Sequence, residues 1–241
     1  MSKSAKKMVK IATKKYRNSD YRGMRLHEAN CNRHGVHVCY GAEKEVYVPM
    51  DSRKRKKSNQ AVVKFIVDEN ALAFDYPIPR EVHIYDKAKK QHLEEYFAPI
   101  LSYNKSGASE FYTQVKAVPC NILEYEAKHI KLKNKVDNTN KGVVGERNRQ
   151  LIRNLGYYCF EETPESWLTY FVTKYGVDEL ARLGKFLDEY IVNDLSRWNI
   201  GFIGDKPVLI DFSGYESPSH YYHEEEDSSY DSYSSYSRGS Y

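Results

Sequence analysis

Residues Asp194–Gly214 read D-L-S-R-W-N-I-G-F-I-G-D-K-P-V-L-I-D-F-S-G. Two short apolar runs, Ile200–Ile203 and Val208–Ile210, flank Gly204-Asp205-Lys206-Pro207, a composition that favours a turn. A hairpin there brings its outer ends together, with Asn199 on one end and Asp211 on the other. Asp194 stands five residues before Asn199, so three oxygen-bearing side chains converge at one sheet edge. Hard cations such as Mg²⁺ take oxygen ligands and keep some water, so one or two carboxylates plus substrate phosphates suffice to hold one. A surface hairpin with incidental acids is the plainer alternative.

The stretch resembles the catalytic core of the protein-kinase superfamily, in which a catalytic loop H-R-D-x-x-x-x-N is followed by a short hairpin and D-F-G. Here Val192-Asn193-Asp194 stands at the loop's H-R-D, Asn199 is in register, and Asp211-Phe212-Ser213-Gly214 ends the hairpin. The resemblance implies an α+β, two-lobed kinase-like fold with an antiparallel N-terminal sheet and a mostly helical, shortened C-terminal lobe. It also implies ATP and Mg²⁺ as cofactors, Asp194 as the base that orients the acceptor hydroxyl, and Asn199 and Asp211 as metal ligands. The compact form, with its D-F-S-G ending, resembles the divergent kinase-like proteins encoded by phages and viruses.

Upstream, Val36–Pro49 suggests two strands joined by Gly41-Ala42-Glu43-Lys44, and Ala61–Val67 a third. Lys64 is the only charge inside that third apolar run, and buried strands seldom hold a lone Lys without an anionic partner. A Lys snorkelling from an edge strand is the alternative. V-V-K-F resembles the family's V-A-I-K strand, whose Lys reaches the nucleotide phosphates and pairs with a helix Glu. Glu81, 17 residues on and just past Pro77-Ile78-Pro79, is the candidate, in the first turn of a helix. Glu94 and Glu95 are rivals expected near the end of the same helix. The glycine-rich loop matches poorly: aligning Val46-Tyr47 with the family's V-Y leaves Gly41 alone among the usual glycines, with Lys44 adding charge in compensation. Lys116-Ala117-Val118-Pro119 is the expected hinge against which adenine stacks, with Leu123-Glu124-Tyr125 as its rival. Nucleotide contacts are thus expected from Gly41, Val46, Lys64, Lys116 and Val118.

Strands are further expected at Ala98–Leu101 and Phe111–Val115, and helices over Val143–Leu155, Ser166–Tyr175 and Val177–Tyr190. In the last, Leu180, Leu183, Phe186 and Leu187 recur at helical spacing. The stretch Cys31–Cys39, with His34 and His37, carries zinc-ligand residue types. Its spacing is too tight for the usual separated ligand pairs, so an ordinary strand is the better reading.

At 241 residues the chain has room for one two-lobed domain. No apolar run is long enough to span a membrane, and the N-terminus lacks the apolar core of a signal peptide. Four cysteines with no C-x-x-C pair fit reduced thiols and a cytoplasmic setting, that of the host if the protein is viral. Residues 1–60 carry 16 Lys/Arg against 5 Asp/Glu, whereas residues 211–241 carry 1 against 7. The organisation expected is a basic, flexible arm (1–30), a β-rich nucleotide-binding lobe (31–118), a helical lobe with the catalytic loop and metal-binding hairpin (119–216) and a disordered Ser/Tyr-rich acidic tail (217–241). An exposed basic loop is expected at Arg53–Lys57.

The function implied is transfer of the ATP γ-phosphate to Ser, Thr or Tyr hydroxyls of a protein substrate, the tail itself being one candidate acceptor. Alternatives are a small-molecule phosphotransferase of the same fold, and a non-catalytic pseudokinase or basic nucleic-acid-associated binding protein. No membrane partner is expected.

Overall fold

The β-branched and aromatic runs on either side of Lys64 form the central strand of a five-stranded antiparallel sheet. The structure is a computed structural model and describes residues 3–12, 21–41, 43–50, 61–67, 72–73, 76–106, 109–120, 158–160 and 162–213. Strands β1 (Val36–Tyr40), β2 (Lys44–Pro49), β3 (Ala61–Ile66), β6 (Ile100–Ser106) and β7 (Ser109–Val115) lie in the order β1-β2-β3-β7-β6. Two very short strands, β4 (Leu72–Ala73) and β5 (Tyr76–Pro79), pair separately and lead into helix α3 (Arg80–Lys90). The chain is therefore mixed α+β. The expected exposed loop at 53–57, helix at 143–155, rival hinge at 123–125 and tail at 217–241 all lie outside the described residues.

Side chains alternate across a strand, so register decides which residues share a face. Tyr47 lies opposite Val63 and Phe65 opposite Phe111, and these four side chains form one apolar face with Val36 and Val38. Val46 and Tyr112 flank Lys64 on the other face. All of β3 from Ala61 to Phe65 is buried, because both faces are covered.

The apolar face is covered by the segment expected to be a flexible arm, which is a correction to that expectation. Lys3–Ala12 forms helix α1 and Tyr21–Arg33 forms helix α2. Ala5, Met8 and Ala12 recur along one side of α1 and are buried with the sheet residues, while Lys6 and Lys7 stay exposed. Small residues and one Met suffice because the sheet supplies the bulky half of the contact. Cys31 is buried in the same cluster, whereas His34 and His37 are exposed, so the Cys31–Cys39 stretch does not gather around one point.

A second, larger core holds α3, helices α4 (Glu165–Tyr175) and α5 (Val177–Glu189), and the three-stranded sheet β8 (Val118–Pro119), β9 (Ile200–Ile203) and β10 (Lys206–Leu209). Leu180, Leu183, Phe186 and Leu187 of α5 are all buried there, as their spacing predicts. Gly176, with φ +90°, ends α4 and starts α5. No helix among the described residues is long and apolar enough to cross a membrane.

Helix α3 stops earlier than expected. Its C-terminus closes with His92 N–H donating to Lys89 O and Leu93 N–H to Ala88 O, and His92 has φ 55°. That is a Schellman arrangement, usually marked by Gly at the left-handed position. Here it is built without glycine, so the residue that usually marks such a stop is absent. Glu94 and Glu95 therefore lie in a separate 3₁₀ turn, Glu94–Tyr96, beyond the helix. The same pair of bonds ends α5: Ile191 N–H to Asp188 O and Val192 N–H to Leu187 O, with Ile191 at φ 52°.

The 194–214 stretch forms its hairpin with a tighter turn than expected. Ile203 pairs with Lys206, leaving Gly204-Asp205 as a two-residue loop with Gly204 at φ 65°. Lys206 and Pro207 join the strand, and Pro207 is tolerated because β10 is an edge strand. On the other side of β9, a Cβ built on Gly201 would lie 2.2 Å from Val118 O and 2.7 Å from Ile210 Cδ1. Glycine is required there by space rather than by backbone angle. Gly201→Ala is expected to cost about 3 kcal/mol of stability through overpacking. Gly204→Ala, at a turn with nothing within 4 Å of the added carbon, should cost only about 1 kcal/mol from its positive φ. Denaturant unfolding of both variants checks this, and equal losses would contradict the close packing of β8 on β9.

Candidate functional site

Three segments meet at a cavity of about 550 Å³: the β1–β2 turn, the loop that follows α5, and the residues after β10. Its lining includes Gly41, Lys44 and Val46 from the first, Asp194, Trp198 and Asn199 from the second, and Asp211, Phe212 and Ser213 from the third. The hairpin brings its two ends together through the Asn199 carbonyl, which accepts from Ile210 N–H (2.7 Å) and Asp211 N–H (3.1 Å). Asn199 Nδ2 in turn donates to Asp194 O at 3.0 Å, and Asp194 Oδ1 accepts from Ser196 N–H at 3.4 Å. Asp194, Asn199 and Asp211 are thus held on one side of the same cavity by backbone bonds.

Behind this wall, Lys64 donates to both Glu81 carboxylate oxygens at 3.0 Å and to Ile210 O at 2.9 Å. Lys64 and Glu81 are 2% and 1% exposed, and the other described anion-bearing candidates, Glu94 and Glu95, make no such contact with Lys64. Glu81 Oε1 also accepts from Phe212 N–H at 3.0 Å. One carboxylate therefore ties β3 to α3 and to the segment just after β10. Phe212 is buried with its ring edge-on to Phe97, centroids 4.9 Å apart, which fixes the backbone that presents Asp211.

The Asp211 carboxylate is not paired with Lys64 but with Lys44. Lys44 Nζ lies 2.7 Å from Asp211 Oδ1, 2.7 Å from Ser213 Oγ and 3.7 Å from Glu81 Oε1. Ser213 Oγ donates to the same Asp211 oxygen at 3.1 Å. Two ammonium groups and two carboxylates thus form one network. Burial works against the Lys44 charge, but the Glu81 and Asp211 carboxylates outweigh it and raise its pKa. Burial, helped by the negative charge of Asp211, pushes the Glu81 carboxyl up to about 7 against the pull of the two lysines. Burial would also raise Asp211, yet Lys64 and Lys44 hold it well below the usual carboxylate range. Asp211 is the firmly ionised member.

The remaining expected residues are placed unevenly. Val46 and Gly41 line the cavity, but the Gly41 N–H is spent on Lys44 O at 2.9 Å. Lys116 and Val118, expected as the adenine hinge, do not line it. Lys116 Nζ reaches Pro49 O at 3.2 Å, and Val118 is committed to pairing with Phe202 in β9. Lys64 and Glu81 also stand behind the lining rather than in it. Missed by the sequence reading were the grip of Lys44 on Asp211, the hydroxyl of Ser213, and the exposed ring of Trp198. One signal for Lys44 existed. It lies two residues before Val46, and period two puts it on the face where Val46 meets Lys64.

Asp211, Asn199 and Asp194 offer hard oxygen donors. No group of three His, Cys, Asp or Glu side chains is arranged to hold a metal among the described residues, so a cation there would need a ligand's oxygens or water as well. Neither a model of a known protein family nor a curated protein matches the chain.

Breaking one member of a buried ion pair exposes the other to an uncompensated charge and costs about 3–5 kcal/mol. Lys64→Met and Glu81→Gln are each expected to lose stability on that scale. The double variant should lose less than the sum, with a coupling of about 1–3 kcal/mol. Denaturant unfolding of the four proteins measures it, and strict additivity would mean that the pair does not act as a unit.

Proposed function

We propose that the protein is an ATP- and Mg²⁺-dependent phosphotransferase with a two-lobed, protein-kinase-like architecture, acting on Ser or Thr hydroxyls of a protein substrate. The observation that carries this reading is the buried Lys64–Glu81 pair, hydrogen-bonded to the backbone on both sides of Asp211, which itself shares a cavity with Asp194 and Asn199. The spacing of these residues along the chain is that of the family whose motifs they resemble.

In this reading Asp211 and Asn199 hold the metal ion. The Asp211 side chain is 34% exposed and faces the cavity, and with Asn199 Nδ2 committed to Asp194 O, the amide's carbonyl oxygen is the atom that meets a cation. When bound there, Mg²⁺ supplies charge neutralisation to the phosphates, and catalysis in this class is mostly positioning and electrostatic stabilisation. Asp194 accepts and orients the acceptor hydroxyl proton. The Glu81 contacts to Lys64 and Phe212 N–H keep the Asp211 backbone in place.

A second reading, a nucleotide-binding module that does not transfer phosphate, is favoured by one specific contact: Lys44 already neutralises Asp211. Incubation with γ-labelled ATP, Mg²⁺ and a generic protein acceptor separates the two. Asp211→Asn is expected to abolish Mg²⁺-dependent turnover, and Asp194→Asn to lower transfer by about 10²-fold or more while leaving ATP binding near wild type. Turnover in Asp211→Asn with unchanged Mg²⁺ dependence would overturn the phosphotransferase reading. ATP binding by the wild type with no turnover would select the binding module.

A further inference from the structure

Of the two lysines in the network, only Lys44 lines the cavity. Lys64 is held behind it by three hydrogen bonds, two to Glu81 and one to Ile210 O, which use all three of its ammonium hydrogens. Lys44 has two close partners, Asp211 and Ser213, both in the cavity wall. Its backbone sits at the start of β2, and its carbonyl is bonded to Gly41 N–H and so fixed by the turn. Turning the ammonium from wall to cavity would require breaking its bonds to Asp211 and Ser213 and rotating the side chain, with the strand left in place.

We propose that Lys44, rather than Lys64, is the cation that meets the phosphates of a ligand in this cavity, and that Asp211 is its resting counter-ion. A divalent cation and the Lys44 ammonium then compete for the same Asp211 carboxylate. A polyphosphate that draws the ammonium into the cavity releases Asp211 for the metal. The inference rests on the reading of the cavity as a metal–nucleotide site, and it makes Lys44, which in the glycine-rich-loop alignment only added charge, the principal phosphate contact in place of Lys64. It also gives the Ser213 hydroxyl a use: it donates to Asp211 Oδ1 and accepts from Lys44, so it holds the ammonium at the carboxylate.

Binding measurements on the full chain test this without reference to turnover. Trp198 lines the cavity, whereas Trp167, the other of the two tryptophans, is fully buried, so ligand entry is read by Trp198 fluorescence. Free Mn²⁺ is read by its electron paramagnetic resonance signal. With Mn²⁺ alone, Lys44→Met is expected to bind about tenfold tighter than wild type, the order expected for removing one charge-assisted hydrogen bond from the carboxylate. Ser213→Ala should move in the same direction by less, and Lys44→Arg should stay near wild type. In excess chelator, inorganic tripolyphosphate and ATP should each bind Lys44→Met about tenfold more weakly, with Lys44→Arg retaining most of the affinity. Thermal melts confirm that the variants fold.

Equal Mn²⁺ affinity in wild type and Lys44→Met, or no Mn²⁺ binding by either, overturns the competition. Equal tripolyphosphate affinity in the two overturns the phosphate contact. Lys44-dependent binding of tripolyphosphate with no added affinity for ATP leaves the Lys44 assignment standing and removes the nucleotide reading. ATP binding and turnover that ignore Lys44 do the reverse.

Discussion

The Lys64 ammonium lies in the middle of an apolar strand, where an unmatched charge would cost several kcal/mol. Its three hydrogens are met by Glu81 and by the carbonyl of Ile210, which belong to two different parts of the fold. Glu81 stands in the first turn of α3, and Ile84, Tyr85 and Ala88, three, four and seven residues on and so along the same side, enter the larger core. Ile210 ends the hairpin whose Phe202 and Leu209 lie in that same core. One satisfied charge thus joins the five-stranded sheet to the helical part. The joint is polar, buried and geometrically specific, so the two parts cannot slide past one another without leaving Lys64 unpaired.

That joint also sets the site. Glu81 accepts from Phe212 N–H, and Phe212 is wedged against Phe97, so the residue between Ile210 and Phe212 has little freedom. Asp211 is therefore positioned by its neighbours' backbone bonds and not by its own side chain, which is left to face the cavity and Lys44. Asn199 is treated in the same way. Its carbonyl closes the hairpin, its amide nitrogen holds Asp194 O, and its carbonyl oxygen Oδ1 is the atom the arrangement spends on no structural bond described here. A rigid frame that leaves selected oxygens over is what binding a hard cation requires.

The parts of this arrangement that the sequence revealed are those where a local pattern has one physical cause. A lone Lys among β-branched residues needs a partner, a Gly-Asp turn between apolar runs makes a hairpin, and a helical stripe of leucines makes α5. Residues whose roles depend on three-dimensional register were hidden. Lys44 reads as a loop lysine that adds charge, and only the β2–β3 pairing shows that it shares a face with Lys64 and reaches Asp211. The end of α3 was hidden because His92 takes a left-handed backbone angle that glycine normally advertises. Helix α1 was legible but passed over: Ala5, Met8, Val9 and Ala12 recur at i, i+3, i+4 and i+7 among lysines, the pattern of an amphipathic helix, and the high charge drew the reading to a flexible arm instead. The expected hinge residues Lys116 and Val118 do not line the cavity: the Val118 backbone pairs with Phe202, and its carbonyl lies close over Gly201 in the small sheet.

Charge balance decides what the cavity can accept. Lys44 and Lys64 carry two positive charges against the two carboxylates of Glu81 and Asp211, and the network is nearly neutral as it stands. Adding a divalent cation beside Asp211 would leave surplus positive charge in a partly buried wall, which is costly unless an anion comes with it. Adding a polyphosphate alone would leave surplus negative charge near Asp211. Entering together, the two partly cancel, and the proposed turn of the Lys44 ammonium from carboxylate to phosphate meets part of the remaining negative charge. On the proposed reading, a metal–polyphosphate complex suits this wall better than either component alone, because Lys44 follows the anion while Lys64 keeps the sheet joined to the helical part.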